Sequence, residues 1–114
     1  MKSKLNEVSS INISSLINEN TARIMMSGVL NFSARERFKE VTDLLLDNPK
    51  VNEIIIEMGQ VSDIGTEGMG MLYLLQEKSK KSEKVLKLVH PVGKVKDWLV
   101  IANANNIFNL DQGH

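Results

Sequence analysis

Apolar and polar residues alternate along "INISSLI" (11–17), the period-two pattern of a strand with one face in the core. "NENT" (18–21) supplies turn residues, and "ARIMMSGVL" (22–30) reads as a second strand, so the pair predicts an antiparallel hairpin. The period then changes. Ser33 followed by Glu36 matches a capping box, and Phe38, Val41, Leu44 and Leu45 fall on one face of the helix it would open. "DNP" ends that helix, because Pro49 disfavours helical geometry in the residue before it.

"VNEIIIEM" (51–58) is a short unbroken apolar run, the signature of a strand buried on both faces. From Met69 the spacing is helical again, with Met69, Leu72, Tyr73 and Gln76 on one face and Leu75 beside it. The helix should fade in the lysine-rich "KSKKSEK" (78–84), whose Lys78, Lys80, Lys81 and Lys84 read as a solvated face that suits a helix C-terminus. "VLKLV" (85–89) is a further buried strand. Pro91 fits a first helical position, with Val92, Val95, Trp98 and Leu99 as the apolar stripe. "NIFNL" (106–110) reads as a last short strand or the docked start of a tail.

The predicted order is β-β-α-β-α-β-α-β. Each helix between strands is long enough for a right-handed parallel crossover. The fold class is therefore α/β: a small mixed sheet entered by an antiparallel hairpin, then βαβαβ-type crossovers with helices packed on the sheet. At 114 residues the chain should form one domain over 1–114. Residues 1–10 would be a flexible or edge-strand N-terminus, and 111–114 a tail.

Composition narrows the function. Fourteen basic residues balance fourteen acidic ones, which argues against an electrostatic footprint for nucleic acid or an anionic membrane. Cysteine is absent, so disulfides, thiolate catalysis and cysteine–zinc sites are excluded. No signal peptide or bilayer-spanning segment is evident, and a cytoplasmic location is expected. Aromatics are 4% of the chain, leaving the core to Ile, Leu, Val and Met. No nucleophile elbow, phosphate-binding loop or metal-ligand spacing is present, so neither enzyme activity nor a cofactor is expected.

The candidate chemistry lies in "QVSDIGTEGMGML" (60–72), at the C-terminal end of a strand, where α/β sheets gather functional groups. Gly65 and Gly68 would relax the strand-to-helix turn, and Gly70 would let the helix pack closely. Thr66 reads by itself as a helix cap, and Glu67 as a carboxylate favoured by the helix dipole. Met58, Met69 and Met71 could form a soft binding surface; Met69 suits core filling and Met71 an outward position open to a partner. His90 reads as a loop or capping residue, and Trp98 as an anchor of the third helix.

"RIMMSGVLNFSARERFKEV" followed by "IIIEMGQVSDIGTEGMGML" resembles a STAS domain, the fold of bacterial anti-sigma factor antagonists. The resemblance covers roughly residues 11–110. It includes the Gly-x-Leu strand end at Gly28, Val29 and Leu30, and the acceptor turn with its following helix at Gly65, Thr66, Glu67, Gly68, Met69, Gly70, Met71 and Leu72. It implies a non-enzymatic partner switch. The unphosphorylated domain would bind an anti-sigma factor or histidine-kinase-like serine/threonine kinase, phosphorylation of Thr66 would break the complex, and a metal-dependent protein phosphatase would reset it. Gly65, Thr66, Glu67, Gly68, Met69 and Met71 would form the partner-binding face. Gly65 stands where the family has Asp, Glu67 where it has a second Ser, and Asp63 falls two residues early. A rival is a constitutive STAS adaptor in a signalling or transport assembly. A phosphoaspartate receiver is set aside, because the acidic pair and the lysine its site needs are missing.

Overall fold

The computed structural model describes residues 11–102 and 108–111. β1 (Asn12–Asn18) and β2 (Thr21–Val29) form the antiparallel hairpin, with Asn18 opposite Thr21. Glu19 takes a φ of 57°, the hand that lets a two-residue turn match the twist of its strands. The Asn20 carbonyl at the turn accepts the Asn52 N–H at 2.8 Å, tying the hairpin to the next strand.

The entry to the first helix differs from the expected capping box. A 3-10 turn, Phe32–Ala34, precedes α1 (Arg35–Leu46). Asn31, not Ser33, is its cap: the Asn31 Oδ1 accepts the Ser33 N–H at 3.1 Å and the Ser33 hydroxyl at 2.6 Å. Asn is as good a cap as Ser, but it caps the 3-10 turn, and α1 itself starts from Ala34 with no side-chain cap bond. Phe38, Val41 and Leu45 are buried as expected, but Leu44 is 70% exposed and Leu46 takes the buried position.

β3 (Glu53–Asp63) runs five residues past its expected end. Its continuation pairs with the end of β2, Ser27 with Gln60 and Gly28 with Val61, through register shifts on either side of Ser27–Gly28. Gly28 holds a φ of 107° there, open to glycine and strained for other residues. β3 is followed by α2 (Gly65–Lys81), β4 (Val85–Val89), α3 (Gly93–Ile101) and β5 (Asn109–Asp111). α3 begins after Pro91, with an exposed Val92 as its N-cap, so Pro91 is not a helical residue. β5 reaches Asp111, where a tail was expected to begin; the readings of residues 1–10 and 112–114 lie outside the described residues.

The sheet order is β1-β2-β3-β4-β5, antiparallel only between β1 and β2. From β2 onward each crossover steps the same way, and right-handed crossovers in one direction put their helices on one face. The burial pattern agrees. Ala22, Ile24, Ile54, Ile56, Met58, Leu86 and Leu88 point into the core with Leu72, Val95 and Leu99 of the helices. Arg23, Met25, Glu53, Ile55, Glu57 and Lys87 alternate with them on the other face, which is exposed or half-buried. β3 is thus two-sided, correcting the expectation of burial on both faces. Arg23–Glu57 and Lys87–Glu53 ion pairs span its outer side at 3.3 and 3.0 Å.

Two of the lysines expected to form a solvated face are engaged. Lys84 Nζ donates to the Asn48 and Val51 carbonyls at 2.9 and 2.6 Å, and Lys78 pairs with Asp43 at 3.3 Å. No described helix is long and apolar enough to cross a membrane.

Candidate functional site at the start of the second helix

β3 carries Asp63 to the edge of the helical layer. The Asp63 carboxylate accepts the Ile64 N–H at 2.9 Å, and Gly65 then turns the chain with a φ of 58°. Gly65, Thr66 and Glu67 are the first residues of α2. Thr66 is not the cap: Ile64 holds that position and supplies no side-chain hydrogen bond. Thr66 is exposed, and no hydrogen bond to another described residue engages its hydroxyl. The first amides of α2 have no acceptor inside the helix, so this end carries partial positive charge that favours an anion.

The two stretches that carry the family resemblance meet here. The Leu30 N–H donates to the Asp63 carbonyl at 2.9 Å. Leu30 then lies against Gly68: a Cβ at Gly68 would come within 2.5 Å of the Leu30 carbonyl oxygen and 2.7 Å of the Ile64 Cβ. Gly68 is therefore the close-packing glycine. Gly70, expected in that role, has nothing within 4 Å of a Cβ. The Glu67 carboxylate accepts the Phe32 N–H at 2.8 Å, binding the start of α2 to the entry of α1 instead of only facing the dipole. A shallow hollow of about 240 Å³ lies between these pieces, with Thr66 in its wall beside Val29, Asn31, Asp63 and Glu67. Asp63, two residues early in sequence, thus shares a hollow with Thr66.

Of the residues expected to meet a partner, Gly65, Thr66, Glu67 and Met71 reach the surface wholly or in part, while Gly68 and Met69 are buried. Met58 is fully buried as well, so no methionine surface forms from the three. Asn31, Phe32 and Arg35 are neighbours that sequence reasoning missed. Phe32 is 59% exposed, and the Arg35 guanidinium lies 4.6 Å from its ring centre, in cation–π range. An aromatic just before a helix could have drawn notice, but it also fits a buried staple. His90 sits away from this site with a φ of 59° and its Nδ1 2.5 Å from Glu57. Among the described residues no three His, Cys, Asp or Glu side chains gather as metal ligands do.

The STAS domain family model matches residues 12–114. The chain belongs to the STAS domain family. Solved structures share its fold at low identity. One is a Thermotoga maritima protein provisionally assigned as an anti-sigma factor antagonist, 23% identical, with 86% of this chain and 84% of that one covered and a TM-score of 0.77. Another is an anti-sigma factor antagonist from Mycobacterium paratuberculosis, 15% identical, covering 89% and 85% with a TM-score of 0.78. A third is the antagonist SpoIIAA in its unphosphorylated form, 13% identical, covering 90% of each chain with a TM-score of 0.70. SpoIIAA of Bacillus in its phosphorylated form matches with 13% identity, 90% and 92% coverage and a TM-score of 0.67. No curated protein sequence matches this STAS chain.

Proposed function

We propose that this STAS domain is an anti-sigma factor antagonist working as a phosphorylation-controlled partner switch, with Thr66 as its acceptor. Unphosphorylated, it binds an anti-sigma factor or a histidine-kinase-like serine/threonine kinase. The kinase transfers the terminal phosphoryl group of ATP to the Thr66 hydroxyl oxygen, with ADP as leaving group and loss of the hydroxyl proton, and the complex separates. A metal-dependent phosphatase hydrolyses the ester and restores binding. The observation that carries this reading is an exposed hydroxyl, unengaged among the described residues, on the second residue of α2 at a positive helix end. The phosphorylated and unphosphorylated forms of SpoIIAA, which share the fold, support it by analogy.

The energetics are sufficient. A phosphate brings nearly two negative charges. In the free domain the helix terminus accommodates it in water; under a docked partner it must be desolvated or repelled by the groups that cover it. Each ~1.4 kcal/mol of that penalty weakens binding about tenfold.

A second reading, the constitutive adaptor, draws on Gly65 and Glu67. The family's Asp is missing, and the Glu67 carboxylate is committed to the Phe32 amide. The discriminating experiment incubates the domain with its co-purifying kinase and ATP, then locates any added phosphate by peptide mass spectrometry. Phosphate on Thr66 supports the switch. Stable binding with no phosphate on Thr66 establishes the adaptor instead.

A further inference from the structure

α1 and α2 leave a groove between them whose floor is apolar and whose rim is basic. Phe38 and Leu75, both nearly fully buried, form the floor with the half-buried Met71. Leu74 is 56% exposed at its edge. Arg35, Lys39, Lys78 and Thr42 complete the lining, with the Thr42 hydroxyl turned back onto the Phe38 carbonyl at 2.9 Å. Asp43 pairs with both lysines, at 2.7 Å to Lys39 and 3.3 Å to Lys78, so the rim keeps an excess of positive charge. Among the described residues Arg35 has no ion pair and rests over Phe32.

Size and charge select the occupant. The groove holds about 160 Å³, well below the ~300–1,000 Å³ of pockets that enclose a small-molecule ligand. It suits one or two apolar side chains, the kind of anchor that dominates a protein interface. A basic rim around such a pocket is complementary to carboxylates flanking the anchor. Two neighbouring helices with an apolar seam are also the surface on which a third amphipathic helix lies.

We infer that the α1–α2 groove is a docking site for an acidic amphipathic helix of a partner protein, which seats an apolar anchor between Leu74 and Phe38 and places its carboxylates against Arg35, Lys39 and Lys78. This deepens the switch reading and rests on it for the identity of the partner. Glu67, Met71, Leu74 and Lys78 recur at the i, i+4, i+7, i+11 spacing of one helix face, so the seam leads from the acceptor turn into the groove. Glu67, whose carboxylate is held on the Phe32 amide, already marks the acidic end of that seam, and a phosphate on Thr66 would add further like charge toward an acidic segment seated in the groove.

The test is an NMR titration of the isotope-labelled full chain with two synthetic amphipathic peptides, alike in their leucines but bearing either Glu or Lys on the flanking positions. The inference expects saturable shifts centred on Arg35, Met71, Leu74 and Lys78 with the Glu peptide only. Affinity should weaken at least tenfold in Leu74→Glu and in the Arg35→Glu, Lys78→Glu double variant, each checked for a native spectrum. No saturable shift, equal response to both peptides, or shifts elsewhere would overturn it. So would concentration-dependent self-association through these residues without peptide, which would make a second copy the occupant, or tighter binding of a simple fatty-acid anion. If the Glu peptide binds and Thr66→Asp leaves its affinity unchanged, the groove stands and the switch fails. If a co-purified partner is lost from Thr66→Asp but untouched by the groove variants, the switch stands and the groove fails.

Discussion

Adding one methyl group at position 68 or at position 70 should have opposite effects. At Gly68 the new Cβ meets the Leu30 carbonyl oxygen at 2.5 Å, and backbone must move to admit it. Overpacking of that kind costs ~1–3 kcal/mol, so Gly68→Ala should lower the melting midpoint by several degrees. At Gly70 the space is open and the residue lies in an exposed helical turn, so Gly70→Ala should gain up to about 1 kcal/mol of helix propensity. Paired thermal or urea melts measure both. Gly65 is different again: its φ of 58° penalises any Cβ, and Gly65→Ala should lose ~1–2 kcal/mol. In the sequence these glycines look alike, because spacing does not reveal which of them faces a backbone carbonyl contributed from another strand. Thr66 was legible as a residue of the helix start but not as its second residue. The same limit hid the Glu67 contact with the Phe32 amide, which joins groups 35 residues apart.

Between elements, the clearest polar link is Asp43 on α1, which holds Lys39 of its own helix and Lys78 of α2. The hydrogen bond from Lys39, and then that from Lys78, lowers the Asp43 carboxyl below its usual range, and the same Asp43 contact raises Lys39 above its own. A lowered carboxyl contributes stability above its ordinary pKa and loses it as pH falls through the lowered value; a raised lysine contributes below its ordinary pKa and loses it as pH rises through the raised one. The stability difference between wild type and Asp43→Asn should therefore be flat through neutral pH and shrink at both extremes. Its plateau should be small, because solvent screens these largely exposed groups. Urea melts across pH measure it. Lys84→Met should cost more, about 1–3 kcal/mol, since its ammonium holds the Asn48 and Val51 carbonyls after α1. Hydrophobic period revealed the three α-helices and β1 to β4, because each buries at least one face, but it gave no sign of the 3-10 turn at Phe32–Ala34 and left β5 open as a strand or the start of a tail. It failed at the end of β3, where "GQVSD" offers one buried side chain, Val61, and the strand persists by backbone pairing with β2.

At the scale of the molecule, the side on which the helices pack follows from crossover handedness; the hairpin was readable from its short polar turn and the parallel strands from the helices between them. The close approach of Leu30 to Gly68 was not readable, because a chain gives no measure of how β2 and β3 end relative to α2. That approach brings the family's two motifs to one end of the domain, with the exposed Thr66 in the wall of an acidic hollow and α2 running from there into the α1–α2 groove. A docked partner covering this end must either bury or displace a phosphate there. Thr66→Ala should therefore bind like the unmodified protein and resist release by the kinase, and Thr66→Asp should bind at least tenfold more weakly, as pull-downs with the co-purified partner would show. The most direct measurement is calorimetric titration of that partner with the domain unmodified and with the domain stoichiometrically phosphorylated on Thr66. The account predicts tight binding of the first and a loss of at least two orders of magnitude for the second; equal affinity of the two forms would contradict it.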